Sequence, residues 1–274
     1  MGMCFGVRDA LQVADEVEEP ETVTIHGELV HNEVVLDALK QRGFHMADEV
    51  DRSALPETES VLITAHGVSE RERARLAKRR KALIDTTCPL VRLVHEAAQK
   101  LRREERFVIV LGRPGHVEVE GVVGDLDDYA VVYHADDVCE WDLSRLGVIC
   151  QSTMPPADAE LLLALIRERN PRADVRFVDT ICYPTRARQE AITEMLGQVE
   201  AVVVVGGINS NNTCQLVDRV RSRGLPAFHV QTADDLDSTW FTEFERVGLT
   251  AGTSTPGAVI DEVHERLVAM RSAV

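Results

Sequence analysis

Apolar and polar residues alternate along the chain between short runs of strand length and longer amphipathic stretches. Short runs of β-strand type lie at residues 23–26, 107–111 and 201–205, and each is followed by a polar segment and then by a helical pattern. This strand–helix alternation predicts parallel sheets with helices outside. In open sheets of this kind ligands bind at the carboxyl ends of the strands. We therefore expect the polar segments to form the ligand-binding edges.

The alternation repeats three times. Each repeat has a cysteine that opens a helical pattern and has an arginine four residues later; the cysteines are Cys4, Cys88 and Cys182. A polar residue follows each cysteine after 27, 28 and 27 residues in turn; these are His31, His116 and Asn209. A third polar segment closes each repeat, within residues 61–69, 147–153 and 248–255. The repeat predicts three small parallel-sheet α/β domains, at 1–86, 87–180 and 181–274, arranged with pseudo-threefold symmetry around a central site.

Composition narrows the class of protein. With 45% apolar and 28% charged residues the chain resembles an ordinary globular enzyme. Its net charge of −16 argues against nucleic acid as a partner, because a phosphate backbone needs a basic surface. No apolar run reaches the roughly 18 residues of a membrane span, and the first residues lack a signal-peptide pattern. We expect a cytoplasmic protein with no membrane partner.

The cysteines point to a metal centre. Six are present without any CxxC pair, so a zinc ribbon is disfavoured and a site would be assembled from distant parts of the chain. Three thiolates at helix starts suit a soft metal or an iron–sulfur cluster, and a four-iron cluster with three ligands leaves one iron open. We interpret Cys139, Cys150 and Cys214 as structural, although Cys150 and Cys214 border polar segments and could be reactive.

Imidazole, amide and hydroxyl side chains share the polar segments; they are His31, His66, His116, Ser210, Asn212 and Ser254. Such groups beside helix N-termini suit a diphosphate, although any one of them alone is more often a cap or turn residue. No GxxxxGK[ST] motif is present, so a nucleotide P-loop is not predicted. His116 and Glu118 are the candidates for the acid that protonates a departing hydroxyl.

Ten stretches resemble the 4-hydroxy-3-methylbut-2-enyl diphosphate reductase (IspH/LytB) family over essentially the whole chain. They are Cys4-Phe-Gly-Val7, Gly27-Glu-Leu-Val-His31-Asn32, Ala65-His66-Gly-Val-Ser69, Thr87-Cys88-Pro-Leu-Val91, Gly115-His-Val-Glu-Val-Glu-Gly121, Gln151-Ser-Thr153, Asp179-Thr-Ile-Cys182-Tyr183, Arg188-Gln189, Asn209-Ser210 and Thr250-Ala-Gly-Thr-Ser254. Single motifs of this kind are weak, whereas their number and order are specific.

The resemblance implies a three-domain fold around a 4Fe-4S cluster with Cys4, Cys88 and Cys182 as its three ligands. It implies that Glu118 and Thr153 relay protons and that ferredoxin or flavodoxin donates electrons, giving isopentenyl and dimethylallyl diphosphate. The implied diphosphate ligands are the six side chains above, and Asn209 and Ser152 are further candidates for substrate binding.

Several positions depart from the family pattern. A strand usually precedes the first cysteine, but only three residues precede Cys4, so domain 1 is expected to lack its first strand. Asn211 replaces a usual serine, Ser152 a usual threonine and Pro184 a usual alanine. The change at Asn211 leaves open a paralogue that acts on a related allylic diphosphate. Two further alternatives are a non-redox 4Fe-4S dehydratase or lyase of the quinolinate-synthase type and a non-catalytic cluster or small-molecule binding protein.

Two basic stretches, at 71–81 and 100–106, stand out from the acidic background. Stretches of this kind are usually solvated helix faces. The sharper hypothesis is that one of them docks an acidic electron carrier.

Overall fold

Strands and helices alternate as predicted in the computed structural model, which describes residues 2–78 and 81–272. The helices are α1 (Phe5–Asp15), α2 (Glu33–Gln41), α3 (Glu70–Ala77), α4 (Pro89–Arg103), α5 (Val117–Val123), α6 (Pro156–Arg169), α7 (Tyr183–Leu196), α8 (Asn211–Arg221) and α9 (Gly257–Ser272). The strands are β1 (Val23–Ile25), β2 (His45–Met46), β3 (Ser60–Ile63), β4 (Ala82–Asp85), β5 (Phe107–Leu111), β6 (Tyr129–Val132), β7 (Arg145–Cys150), β8 (Asp174–Val178), β9 (Ala201–Val205), β10 (Ala227–Val230) and β11 (Val247–Ala251).

The strands form three parallel sheets with one recurring order. The first is β2-β1-β3-β4, the second β6-β5-β7-β8 and the third β10-β9-β11. In each sheet the first strand along the chain lies between the second and the third. The predicted α/β class with several small parallel sheets is confirmed, and the strand order repeats as the cysteine spacing does.

The strands that precede Cys88 and Cys182 belong to the sheets that come before those cysteines. Strand β4 extends the first sheet and β8 extends the second. In the described residues the sheet with three strands is therefore the third, whereas the sequence placed the missing strand in domain 1. The reason is topological, because a strand that leads into a cysteine pairs with the preceding sheet rather than with its own repeat.

The chain divides into two compact units. Unit 1 comprises Met1–Arg8, Val30–Gln41 and Tyr183–Val274, and unit 2 comprises Asp9–Leu29 and Arg42–Cys182. Unit 2 contains the first and second sheets, and unit 1 contains the third. Each sheet falls inside one of the ranges 1–86, 87–180 and 181–274, but the three-domain division and its symmetry stay predictions.

The core of unit 2 covers both faces of the second sheet. Strand β5 is apolar at every position and buried from Val108 to Leu111, as expected for a strand covered on both sides. One face packs against apolar residues of α4 and α5, including Val94, Leu101 and Val122. The other face packs against α6, which contributes Leu162 and Ile166 among others.

Unit 1 is built in the same way around β9, whose five residues are all buried. Ile192 of α7 and Leu216 of α8 pack on one face of the third sheet, and Ile260 and Val263 of α9 pack on the other. Because helices cover both faces of these sheets, their polar strand ends are the places left for ligand binding. In the described part of the chain no helix is both long and apolar enough to cross a membrane.

Candidate functional site

Each predicted cysteine ligand makes the same backbone hydrogen bond to the segment that follows the third strand of a sheet. In unit 2, the Cys88 N–H donates to the Ala65 carbonyl after β3 at 3.0 Å, and the Cys182 N–H donates to the Ser152 carbonyl after β7 at 2.9 Å. In unit 1, the Cys4 N–H donates to the Thr253 carbonyl after β11 at 2.9 Å. The threefold repeat read from the sequence therefore recurs as a repeated hydrogen bond at each cysteine.

An Asp-Thr pair shapes the approach to each cysteine of unit 2. Asp85 Oδ1 accepts from the Thr87 N–H at 3.0 Å, and Asp179 Oδ1 accepts from the Ile181 N–H at 3.1 Å. The hydroxyl of the threonine that follows each aspartate donates to a strand carbonyl, from Thr86 to Ile63 at 2.6 Å and from Thr180 to Cys150 at 2.5 Å. The Asp-Thr repeat is visible in the sequence. Only the structure shows that its hydrogen bonds fix the turn before each cysteine.

Asp85 makes further contacts beyond this backbone hydrogen bond. It also accepts from the Thr87 hydroxyl and forms ion pairs with Arg73 at 2.9 Å and Arg92 at 2.8 Å. Burial alone would raise the pKa of Asp85, but the Thr87 hydrogen bonds and the two guanidinium charges outweigh it and lower the pKa. The Asp85 carboxylate is therefore the anchor of the segment that leads to Cys88.

Cys4 is supported by different side chains, all within unit 1. The Arg188 guanidinium on α7 donates from Nη2 to the Gly2 carbonyl. The ring of Phe5 stacks on that of Tyr183, with centroids 5.7 Å apart and planes 4° from parallel. Arg188 lies in a stretch that resembles the family, but nothing in the sequence indicates that it contacts the segment of Cys4.

A histidine and a glutamate are positioned at the start of α5 in unit 2. His116 caps this helix, and its Nδ1 accepts from the Glu118 N–H at 3.1 Å. In a neutral ring the proton then resides on Nε2, which makes His116 a donor on its other side. His66 packs edge-on against His116 with ring centroids 5.7 Å apart. The structure thus brings together His66, His116 and Glu118, three of the predicted site residues.

The Glu118 carboxylate is 2% exposed and pairs with Ser152. Its Oε1 accepts from the Ser152 N–H at 2.6 Å, and its Oε2 accepts from the Ser152 hydroxyl at 2.7 Å. Thr153, which we predicted as the partner of Glu118 in proton relay, lies half-buried in the same turn, and its role stays a prediction. Ser152 was predicted only as a substrate-binding residue.

Gln151 connects the ends of the two central strands of the second sheet. Its Oε1 accepts from the Arg113 N–H at 3.0 Å, and its own N–H donates to the Leu111 carbonyl at 2.8 Å. A β-carbon on Gly112 would lie 2.8 Å from that of Gln151, so only glycine fits this crossing. The matched Gln151-Ser-Thr153 stretch was visible in the sequence, but this positioning role was missed.

The polar segment of unit 1 contains a buried amide with an open donor. Asn212 Oδ1 accepts from the Thr253 N–H at 3.1 Å, while its Nδ2 is buried and has no hydrogen-bond partner in residues 2–78 and 81–272. A buried amide donor without a partner costs free energy unless a ligand accepts from it. The segment is therefore suited to an anionic group.

Two serines of unit 1 also form hydrogen bonds with backbone groups. Ser210 caps α8 by accepting from the Thr213 N–H at 3.3 Å, and the Ser254 hydroxyl donates to the His31 carbonyl at 3.1 Å. Both serines are buried, whereas Asn209 is exposed in the turn before α8. Ser210 keeps its hydroxyl proton for a ligand, while Ser254 would have to release His31 to donate elsewhere.

Unit 2 also contains a contact between a buried histidine and a partly exposed glutamate that the sequence did not indicate. His26 Nε2 lies 3.0 Å from Glu72 Oε1, and Arg75 forms a bidentate pair with Glu72 at 2.6 and 2.7 Å. Burial and the charge of Arg52 lower the pKa of His26, against the opposing effect of Glu72. The pair joins the end of β1 to α3 and has a structural role.

The other three cysteines and the two basic stretches make ordinary core or surface contacts. Cys139 is exposed and Cys150 is buried, while the Cys214 thiol donates to the Ile208 carbonyl at 3.2 Å. In the basic stretches Arg71 and Arg102 pair with Asp127, and Arg106 pairs with Asp174. Arg79 and Arg80 of the first stretch lie outside the described residues. The docking role of these stretches stays a prediction.

The fold and the site define a parallel α/β protein that carries a cysteine in each of three equivalent turns. Comparison with known proteins identifies its family. The family model described as LytB protein matches residues 1–268, so the chain belongs to this family. A relative from Azoarcus sp. (strain BH72), named 4-hydroxy-3-methylbut-2-enyl diphosphate reductase, is 35% identical over 99% of this chain and 88% of its own. A relative of the same name from Azotobacter vinelandii is 36% identical over 97% and 87%.

Solved structures agree with this assignment. The E-1-hydroxy-2-methyl-but-2-enyl-4-diphosphate reductase from Plasmodium falciparum matches with a TM-score of 0.90 and 28% identity, over 97% of this chain and 85% of its own. A structure of (E)-4-hydroxy-3-methyl-but-2-enyl diphosphate reductase, described as the terminal enzyme of the non-mevalonate pathway, matches with a TM-score of 0.68 and 31% identity. It covers 98% of this chain and 96% of its own.

Proposed function

We propose that this chain reduces 4-hydroxy-3-methylbut-2-enyl diphosphate to isopentenyl and dimethylallyl diphosphate. The reaction consumes two electrons and two protons and releases the hydroxyl group as water. The named relatives support the substrate, since they match nearly the whole chain. The single observation that carries the proposal is the repeated hydrogen bond from Cys4, Cys88 and Cys182 to the segment after a third strand. A non-redox lyase has no comparable support.

We infer that these three cysteines bind a 4Fe-4S cluster. The donor set fits such a cluster, because each cysteine stands at the start of a helix, where unpaired N–H groups favour a thiolate. When bound, the cluster supplies the electrons for the reduction and an open iron for the substrate. The protein's own contribution is to bind the diphosphate and to deliver protons.

The proposed diphosphate ligands are the polar side chains predicted from the sequence. They are His31, His66, His116, Ser210, Asn212 and Ser254, with Asn209 and Ser152 as further candidates. The unpartnered Nδ2 of Asn212 is the donor that best supports anion binding. Ferredoxin or flavodoxin is the proposed electron donor.

Proton delivery is proposed to run through Glu118 and Ser152. Because the Ser152 hydroxyl already donates to Glu118, a protonated Glu118 can return a proton to Ser152 Oγ as the serine gives its own to the substrate. Burial of both side chains keeps bulk water from this path. Thr153 is retained as a second proposed member of the relay.

Anaerobic assay tests the activity. The reconstituted protein is incubated with 4-hydroxy-3-methylbut-2-enyl diphosphate and reduced methyl viologen, and the expected result is viologen oxidation with formation of both products. Conversion without an electron donor would instead indicate a lyase, and a chain that assembles no cluster would remove the basis of the proposal.

Glu118→Gln tests the proton relay. The amide keeps the shape of the side chain but carries no acidic proton, so turnover is expected to fall by about 10² to 10⁴-fold at unchanged cluster content. Glu160→Gln is the matched control, because Glu160 is exposed on α6 of the same unit and outside the stretches that resemble the family. Equal turnover in Glu118→Gln and wild type would contradict the relay.

A further inference from the structure

Arg188 is a half-buried cation that forms no ion pair with a carboxylate among the described residues. Its Nη2 donates to the Gly2 carbonyl, and its Nε is buried with no hydrogen-bond partner. Within residues 2–78 and 81–272 no aspartate or glutamate forms an ion pair with it. Leaving a buried guanidinium N–H without an acceptor or a counter-charge is costly, so the buried Nε of Arg188 favours a negative charge supplied by a group other than a carboxylate.

Cys4, two residues after the Gly2 carbonyl that Arg188 contacts, is a source of such a charge. Burial lowers the pKa of Arg188, and the charge of a Cys4 thiolate acts in the opposite direction. Both residues belong to unit 1, and the Gly2 carbonyl that Arg188 contacts lies two residues before Cys4. The guanidinium therefore supports the segment of Cys4 and also lies within electrostatic reach of its sulfur.

We propose that Arg188 is a positioning residue for Cys4, which fixes the backbone before this ligand and supplies the positive charge that compensates its thiolate. This inference rests on the proposed function, because it requires Cys4 to be a cluster ligand. It goes beyond that function by assigning to Arg188 the retention of the cluster and part of its reduction potential. Reduction adds negative charge, which a nearby cation stabilises, so Arg188 raises the potential.

Two variants separate the positioning role from the charge. Arg188→Gln removes the charge and the fork of donors, whereas Arg188→Lys keeps the charge but loses the planar geometry that reaches Gly2. Arg223→Gln is the control, because Arg223 is exposed in the same unit and its loss changes the net charge equally. All three are purified and reconstituted anaerobically beside the wild type.

Cluster loss and reduction potential are the main readouts. Arg188→Gln is expected to lose iron to a chelator about tenfold faster than wild type, as for other residues that support a metal ligand, and to have a more negative potential. Arg188→Lys is expected to lose iron faster at a potential close to wild type. Arg223→Gln is expected to match wild type in both.

A measurement on the apoprotein tests the inference even if a variant cannot be reconstituted with a cluster. Hydrogen exchange of the peptide that contains residues 2–8 is expected to be faster in both Arg188 variants of the apoprotein, at unchanged exchange in β9. If Arg188→Gln has the wild-type rate of iron loss, reduction potential and rate of hydrogen exchange, the inference is overturned. The proposed function would remain intact. A wild-type chain that binds no cluster would instead contradict the proposed function itself.

Discussion

The turns of Cys88 and Cys182 in unit 2 and the turn of Cys4 in unit 1 reach one backbone arrangement by different means. In all three, the cysteine N–H donates to a carbonyl just past the third strand of a sheet. In unit 2 an Asp-Thr pair at the end of a strand fixes the approach. In unit 1 the support comes from the Arg188 contact and from the stacked rings of Phe5 and Tyr183.

This difference separates the part of the repeat that all three turns share from the part that varies. The hydrogen bond that orients the cysteine is common to all three turns, whereas the side chains behind it vary. Two turns are stabilised by a negatively charged aspartate and one by a positively charged arginine. The side chains that support the three turns therefore differ in charge, and at Cys4 the supporting charge is that of Arg188.

The largest expected effect comes from replacing the three proposed cluster ligands. If the turn of Cys4 supplies a ligand equal to the other two, Cys4→Ser, Cys88→Ser and Cys182→Ser should each lower turnover by at least about a hundredfold and reduce the iron content. Iron and sulfide analysis and the anaerobic assay measure both effects. Cys139→Ser is the control, because Cys139 is exposed and outside the repeat. Full iron content in Cys4→Ser alone would break the equivalence of the three turns.

The repeat explains why so much of this architecture could be predicted from the sequence. Apolar runs of strand length predicted β5 and β9, and both are buried on two faces because helices cover their sheets. The constant spacing of Cys4, Cys88 and Cys182 predicted three equivalent turns. These signals are local or periodic, so a single sequence contains them.

Long-range contacts could not be predicted in the same way. The bond from Arg188 to Gly2 joins residues 186 positions apart, and the ties of Ser152 to Glu118 span 34. No periodicity encodes which side chains meet across such distances. The sheet to which β4 and β8 belong was missed for the same reason, because the pattern shows a strand but not its neighbour.

The two aspartate turns are expected to differ in stability by a smaller amount. Asp85 is half-buried and pairs with Arg73 and Arg92, whereas Asp179 is exposed. Asp85→Asn should therefore lower the free energy of unfolding by about 2 kcal/mol, and Asp179→Asn by less than about 1 kcal/mol. Urea titrations of the two variants and the wild type measure the difference. An equal loss of unfolding free energy in both variants would show that the backbone hydrogen bonds accepted by both aspartates account for the stabilisation, and not the ion pairs with Arg73 and Arg92.

The smallest expected effect is the acid dependence of the Asp85 contribution. The pKa of Asp85 is below its ordinary value of 3.8 in the folded chain, so the folded state favours the carboxylate. The resulting stability is fully present above the unfolded-state pKa and is lost as the pH falls through the lowered folded-state pKa. The stability difference between wild type and Asp85→Asn should thus be constant from neutral pH to about pH 5 and shrink below about pH 4. Urea titrations at several pH values test this, and a difference that grows on acidification would mean that Asp85 is not held as a carboxylate by Arg73, Arg92 and Thr87.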